Sequence, residues 1–261
     1  MLNEKMNSIE ARKLIRNGDW KNPTAGLAPG YVQTNLVIIP KKYAFDFLLF
    51  GHRNSKSCPI IEVTDTGSPH PLIAIDGDLR TDVPKYRIYK KGYLEVELDS
   101  IKEYWQDDFV SFLIGCSFTF EKALMDAGIP VRHIEEQKNV PMYITNRFCN
   151  SADIFYGPMV VSMRPIPYEL VVRTVQITSR FPAVHGAPVH IGDPAKIGIK
   201  DITTPDFGDS VSINQEEVPV FWACGVTSQI VIMQAKIDIV ITHAPGYMFI
   251  TDLKDQDLAV F

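Results

Sequence analysis

No stretch of this chain is long and apolar enough to cross a bilayer, no Cys-x-x-Cys pair occurs, and no run of basic residues is present. Each absence removes a class of protein. A spanning helix needs about 20 consecutive apolar residues, so a membrane is not an expected partner. The four cysteines, Cys58, Cys116, Cys149 and Cys224, are widely separated. That spacing supplies neither a zinc site nor a disulfide framework, and the chain reads as cytoplasmic with free thiols. Lysine and arginine number 26 against 31 acidic residues, for a net charge of -5, and they are scattered singly. Nothing there would neutralise a phosphate backbone, so nucleic acid is not an expected partner either. The first twenty residues lack the apolar core and small residues of a secretory signal. The loop GLAPGYVQTN, with Gly26 and Gly30, matches neither a P-loop nor a dinucleotide fingerprint, and no nucleotide cofactor is implied.

What is present is an ordinary globular composition. With 261 residues, 46% hydrophobic and 22% charged, the chain can bury a core without disulfides or metals. A symmetric homodimer is the commonest default for such a chain. Ser8 is placed to cap a helix through Ile15, and KKYAFDFLLFGHRN after Pro40 predicts a second helix. Tyr86–Tyr89 and Tyr93–Leu98 alternate around Lys91-Gly92 as a hairpin does. Residues 109–128, FVSFLIGCSFTFEKALMDAG, predict one long helix with acidic residues before it and Gly128 as its stop. PVRHI after Pro130 predicts a short strand.

From about Val140 a new unit starts. GPMVVSMRP predicts a strand, PYELVVRTVQITSRF an amphipathic helix and APVHIGDP a second strand. The last sixty residues predict strand, helix and strand again, EVPVFWAC, GVTSQIVIMQAK and IDIVITHAPG, with YMFITD following. About a dozen residues between the first two of those strands suffice for a right-handed parallel crossover. No internal repeat is evident. The expected fold is α/β: a three-layer main domain of residues 1–137 and 204–261, interrupted by a smaller α+β domain of 138–203.

The segment from Phe181 to Asp209 is dense in Gly and Pro, interleaved with His185, His190, Asp193, Asp201, Asp206 and Asp209. That mixture describes rigid turns presenting polar groups, or simply surface connections. His185, His190 and Asp193 carry ligand-type side chains, yet positions five apart on a strand face opposite ways, so no metal site is expected. Cys224 ends one predicted strand and His243 the next. In a parallel sheet both would face the crevice at the strand ends, with the Cys224 thiol activated by the following helix and His243 as acid or base. Gly225 and Val226 would then donate amides to a developing oxyanion. His190 and Asp193 are further candidates for moving protons. Arg80, Arg164 and, less specifically, Arg132 and Arg180 offer forks for a carboxylate. Cys116 reads as packing inside its helix, with Ser117 and Glu121 as polar neighbours.

Several segments together carry a resemblance: PTAGLAPGYVQTNLVIIP, DLRTDVPKYR, FLIGCSFTFEKAL, GIPVRHI, GPMVVSMRP, VQITSRFPAVHGAPVHIGDP, PDFGD, PVFWACGVTSQ and ITHAPGYMFITD. They resemble the bacterial hydro-lyase family related to D-glutamate cyclase, over nearly the whole chain from Ala11. The resemblance implies a two-domain α/β fold and a small-molecule substrate, with cyclisation of D-glutamate to 5-oxo-D-proline and loss of water as the model reaction. It carries over no catalytic residues. Two other readings stay open: a thiol-dependent amide hydrolase or acyl-transfer enzyme using Cys224 and His243, and a non-catalytic protein that binds an amino-acid-derived ligand.

Overall fold

A computed structural model describes residues 6–260. The chain begins with α1 (Ser8–Arg16), β1 (Tyr31–Pro40), α2 (Ala44–Arg53), β2 (Ile60–Val63), β3 (Tyr86–Lys90), β4 (Tyr93–Leu98) and β5 (Phe109–Gly115). It continues through α3 (Phe118–Asp126), α4 (Arg132–Glu135), β6 (Met142–Phe148), β7 (Pro158–Pro167) and α5 (Val171–Thr178). The last elements are β8 (His190–Ile191), β9 (Glu217–Ala223), α6 (Val226–Ala235), β10 (Val240–His243) and β11 (Phe249–Lys254). These form an α/β protein with two sheets. One runs β2-β5-β1-β10-β3-β4 with β11 also on β1, the other β6-β7-β9-β8, and every pairing in both is antiparallel.

The parallel crossover expected between the two strands EVPVFWAC and IDIVITHAPG is therefore absent. β9 pairs with β7 in the second sheet and β10 with β1 in the first, so α6 bridges two sheets instead of crossing one. The second sheet's strands span residues 142–223, which puts β9 beyond residue 203. Residues 109–128, expected as one helix, divide into β5 and α3. Every residue of β5 is buried, and a strand covered on both faces reads as a continuous apolar run that periodicity cannot separate from a helix. PVRHI contributes a single helical turn, α4, and not a strand. Asn7, not Ser8, caps α1, accepting from the Glu10 amide while the Glu10 carboxylate accepts from its own. The hairpin forms as expected, Lys91 and Gly92 both having the positive φ of a type I′ turn.

The two sheets share one building plan, which no sequence repeat announces. β1 is a ten-residue strand ending in Pro40, followed by a 3-10 turn at Lys41–Tyr43 and α2. β7 is a ten-residue strand ending in Pro167, followed by a 3-10 turn at Tyr168–Leu170 and α5. Registers match as well. Thr34 faces Gly115 and Pro40 faces Phe109 in the first sheet, while Val161 faces Ala223 and Pro167 faces Glu217 in the second. β5 and β9 each lead through a cysteine and one small residue into a helix, and the small residues have the same backbone angles, -64°/-15° at Ser117 and -61°/-19° at Gly225. The next strand after each helix joins the opposite sheet, β6 lying on β7 and β10 on β1. The halves are thus interlocked.

Packing follows from this plan. α2 and α6 close one face of the first sheet through Phe47, Phe50, Val231 and Ile232 against Val37, Phe112 and Ile114. The opposite face, with Leu36, Ile38 and Ile241, is covered by Leu79, Val83 and Ile101 from irregular segments. α3 and α5 cover Ile166, Val220 and Trp222 of the second sheet. At roughly 1.5–3 kcal/mol per fully buried large apolar side chain, these clusters dominate the folding energy.

Candidate active site at the paired cysteine turns

The two strand-cysteine-helix turns meet between the sheets. Phe118 and Val226, the first residues of α3 and α6, belong to one apolar cluster with Cys224, Val140 and Met142. Asn35 of β1 fastens the turns together. Its side-chain amide donates to the carbonyls of Gly115 (3.0 Å) and Ile114 (3.3 Å) at the end of β5. On its other side it fills the space beside Gly225, where a Cβ would lie 2.1 Å from Asn35 Nδ2. Only glycine fits at that position. Neither helix has a side-chain cap, so both first turns direct amides into the junction.

Beneath the first turn lies a buried charged cluster. Arg164 of β7 is fully buried. Its Nε donates to Glu121 Oε1 at 3.1 Å, Nη1 to Ser162 Oγ at 3.1 Å and Nη2 to Ser117 Oγ at 3.0 Å, with a further short Nη2 contact to Glu121. Phe120 and Trp222 face its guanidinium at 5.3 Å. His133 of α4 stands with Nε2 3.1 Å from the same Glu121 oxygen, outside hydrogen-bond geometry, and its ring stacks on Phe118. Burial pushes the Glu121 carboxyl upward, but the imidazole of His133 beside it and the charge and hydrogen bonds of Arg164 outweigh that and hold the carboxyl below its ordinary value. Cys116 and Cys224 are each 7% exposed and Phe118 beside them is only partly buried, so the solvent side of the junction lies at the thiols and this ring.

Each thiol receives the amide two residues on, Phe118 for Cys116 and Val226 for Cys224. The helix start was expected to lower the Cys224 pKa. Instead burial pushes it up to about 11, with the Val226 amide and Arg164 only partly opposing, and Cys116 is raised further. Both sulfurs are thiols at neutral pH.

The sequence-derived candidates distribute unevenly. Arg164, Cys224, Gly225 and Val226 lie at the junction. His243 does not share a face with them. Alternation along β10 puts it with Ile241 on the face of Leu36 and Ile38, whereas Asn35, which touches Gly225, alternates with Val37 and Ile39 on the other. His243 Nδ1 accepts from the Leu36 amide at 3.1 Å, Nε2 is buried without a partner, and burial lowers its pKa to about 4. It is neutral at pH 7, in contrast to the neutral-range acid or base expected.

His190 rests on Phe221 and its Nε2 meets the Asp193 carbonyl at 2.7 Å. The Asp193 carboxylate caps the following 3-10 turn through the Ala195 amide. Both are thereby engaged in local turn structure. Arg80 is held in a fork by Asp78, at 2.8 Å and 2.9 Å. Among the described residues no group of three His, Cys, Asp or Glu side chains is arranged to hold a metal ion.

Glu121, His133, Ser117, Ser162 and Asn35 were not among the principal candidates. Their signal was present in GCSFTFE, but with Cys116 read as mid-helix, Ser117 and Glu121 looked like neighbours of a packing residue. His185, from the Gly- and Pro-rich segment, packs behind Gly115. It is buried at a positive φ of 82°, its Nδ1 lies 2.8 Å from the Lys56 carbonyl, and burial lowers its pKa to about 4.

A family model described as D-glutamate cyclase matches residues 110–252, which include both cysteine turns and Arg164. The chain is 66% identical over 257 residues to a protein named "Putative hydro-lyase" from Thermoanaerobacter sp. (strain X514), covering 98% of this chain and 97% of the relative. It is 62% identical to one so named from Geobacillus kaustophilus, covering 98% and 97%. With a protein named "Putative hydro-lyase YcsI" from Bacillus subtilis (strain 168) the identity is 61%, over 96% and 98%. A crystal structure of a nitrogen repressor-like protein from Methanococcus jannaschii superposes with a TM-score of 0.39 at 12% identity, over 89% of this chain and 95% of that one. Matched across more than half its length by the family model and nearly end to end by these relatives, the chain belongs to the D-glutamate cyclase family.

Proposed function

We propose that the protein is a hydro-lyase acting on a small amino-acid or carboxylate substrate at the paired cysteine turns, with cyclisation of D-glutamate to 5-oxo-D-proline as its reaction. The observation that carries this reading is the fully buried Arg164-Glu121-His133 cluster at the junction of two helix starts. A buried ion pair is weak evidence for stability, since apolar replacements of similar volume are often neutral or stabilising. Its position beside converging amides points to chemistry.

Closing glutamate into a lactam forms the N–C bond between the amine and the γ-carboxyl carbon and expels one carboxyl oxygen as water. Starting from the ammonium and carboxylate forms, the nitrogen must lose two protons in all, one to become a nucleophile and one as the lactam forms, and the leaving oxygen must gain two to depart as water. Glu121 and His133, 3.1 Å apart, would hold and pass a proton once the imidazole turns into line with the carboxylate. Acid-base assistance of this kind supplies about 10²–10⁴ in rate. The amides at Phe118 and Val226 would stabilise charge developing on the carboxyl oxygen by exchanging their thiol acceptors for it, each such donor contributing about 10²–10³. Arg164 fixes the carboxylate of Glu121 and the hydroxyl of Ser117. Enclosing a folded substrate would add the advantage of an intramolecular reaction held in its reactive geometry. A thiolate nucleophile has the burial of both cysteines against it.

The test is incubation of purified protein with D-glutamate and separately with L-glutamate, following 5-oxoproline by chiral chromatography. The D-lactam is expected from the parent protein and from Cys224→Ser, and should fall by at least 10²-fold in Glu121→Gln and Arg164→Lys. Ligand-dependent stabilisation by D-glutamate without product would replace the enzyme reading by a binding one. Loss of all product in Cys224→Ser with Glu121→Gln active would transfer the chemistry to the thiol.

A further inference from the structure

A cavity of about 670 Å³ lies away from the cysteine turns, on the outer side of α3, and the proposed reaction makes no use of it. Four elements build it: α3, α5, the segment after α5, and the chain following β11. Cationic side chains surround it, Lys122, Arg173, Arg180 and Lys254, against two carboxyls, Asp126 and Asp255. Its floor is apolar, with Ala127, Ile177 and Phe181. Lys254 is positioned by the ring of Tyr31, over which its ammonium lies. Lys122 is shared with Asp126 on the same helix face, at 2.7 Å and 2.8 Å. Asp255 is the anomaly, because its Oδ1 is buried with no hydrogen-bond partner.

From this geometry we infer that the cavity is a binding site for a small doubly negative molecule, of dicarboxylate or phosphate type, held by Lys254, Lys122 and Arg173 and bordered by the carboxyl of Asp255. An apolar floor under convergent cations is the usual form of a carboxylate pocket. Protonated on Oδ2, Asp255 would donate to the bound anion, while Oδ1 stays sealed from the cavity.

The charges facing Asp255 are Lys122 and Asp126, with Glu121 behind them, from α3, Arg173 from α5, Arg180 beyond it, and Lys254 beside it. Burial pushes the Asp255 carboxyl up to about 7, while Lys122 and Lys254 oppose and Glu121 reinforces the rise. Near neutral pH the group is part protonated. Anion binding therefore takes up a proton and strengthens as pH falls from 8 to 6. Because Glu121 also faces Arg164 on the inner side of α3, an occupant of this cavity changes the field at the cysteine turns.

Titration calorimetry on the full chain tests this without reference to any reaction, using sodium succinate in one arm and inorganic phosphate in the other, with sodium chloride at matched ionic strength as control. Saturable binding of one dianion is expected; for succinate, which stays largely dianionic down to about pH 6, it should tighten several-fold from pH 8 to pH 6, and phosphate is compared with it at pH 8, where phosphate is mostly dianionic. Lys254→Ala and Arg173→Ala should each weaken it about tenfold, the loss of one charge-assisted contact. Asp255→Asn should bind with its pH dependence removed. Thermal unfolding without ligand establishes that each variant is folded. Heats no different from chloride in both arms, or unchanged affinity in the folded Lys254→Ala, Arg173→Ala double variant, would overturn the proposal. Preference between succinate and phosphate identifies the ligand type.

Discussion

Replacing Glu121 by Gln removes one negative charge and almost no volume from a site where Arg164 is wholly enclosed. In the folded protein the guanidinium would keep the hydroxyls of Ser117 and Ser162, the faces of Phe120 and Trp222 and at most a neutral amide oxygen, with no countercharge. An unpaired buried charge of this kind costs about 3–5 kcal/mol. At about 2–4 °C per kcal/mol for a chain of this size, the melting temperature should fall by about 10 °C. Arg164→Met alone strands the carboxylate instead and should cost a similar amount. The double variant Glu121→Met, Arg164→Met removes both charges and should return to within about 2 kcal/mol of the parent, while remaining inactive. Urea unfolding followed by tryptophan fluorescence reports this cycle, since Trp222 lies against the guanidinium. A single Glu121→Gln cost below about 0.5 kcal/mol, with additive effects in the double variant, would refute the description of Arg164 as a desolvated, paired charge. The pH dependence has a definite sign. The folded carboxyl lies below its ordinary value of 4.5, so its contribution is complete above that value and is lost as pH falls through the lower, folded one.

Other consequences are measurable. Cys116 and Cys224 should resist iodoacetamide at pH 7 in the native protein and react fully in urea; stoichiometric native labelling within minutes would contradict their buried thiol state. His185 and His243 are held neutral with folded values of about 4 against an ordinary 6.5, so the unfolded chain gains protons first on acidification. Each should cost on the order of 3 kcal/mol of stability between pH 6.5 and 4. Asp255 works in the opposite direction over the whole of that range, so the comparison to make is parent against His243→Gln, whose urea midpoint should depend less steeply on pH. An equal slope in the two would show that His243 is not desolvated. Gly225→Ala forces a Cβ into Asn35, which cannot retreat without breaking its bonds to Gly115 and Ile114. A loss of about 2 kcal/mol is expected, with most of it recovered when Asn35→Ala is added; failure of that rescue would show that the clash lies elsewhere.

Where local rules govern, the sequence is read directly. The β3-β4 hairpin follows from Lys91-Gly92, α2 from its position after Pro40, and α6 and β10 from their apolar patterns. These signals span a few residues and need no knowledge of what packs against them. The family, too, is carried by linear motifs. Where burial on both faces erases periodicity, the sequence misleads. β5 is apolar at nearly every position, so it merged with α3 into one apparent helix and hid the turn at Gly115–Ser117.

Tertiary structure alone decided which strands pair. That β9 and β10 belong to different sheets follows from the interlocking of two halves with the same plan, and nothing in the dozen residues between them records it. This is why Cys224 and His243 looked adjacent in a parallel sheet and stand against different faces in the fold. The same interlocking draws together Asn35, Ser117, Glu121, His133 and Arg164, which lie up to 129 positions apart in sequence. Residue type marked Arg164 as able to bind a carboxylate. Only complete burial, with Glu121 as its partner, turned an ordinary arginine into the charge at the centre of the site, because the cost of desolvating a charge is a property of its surroundings and not of its position in the chain.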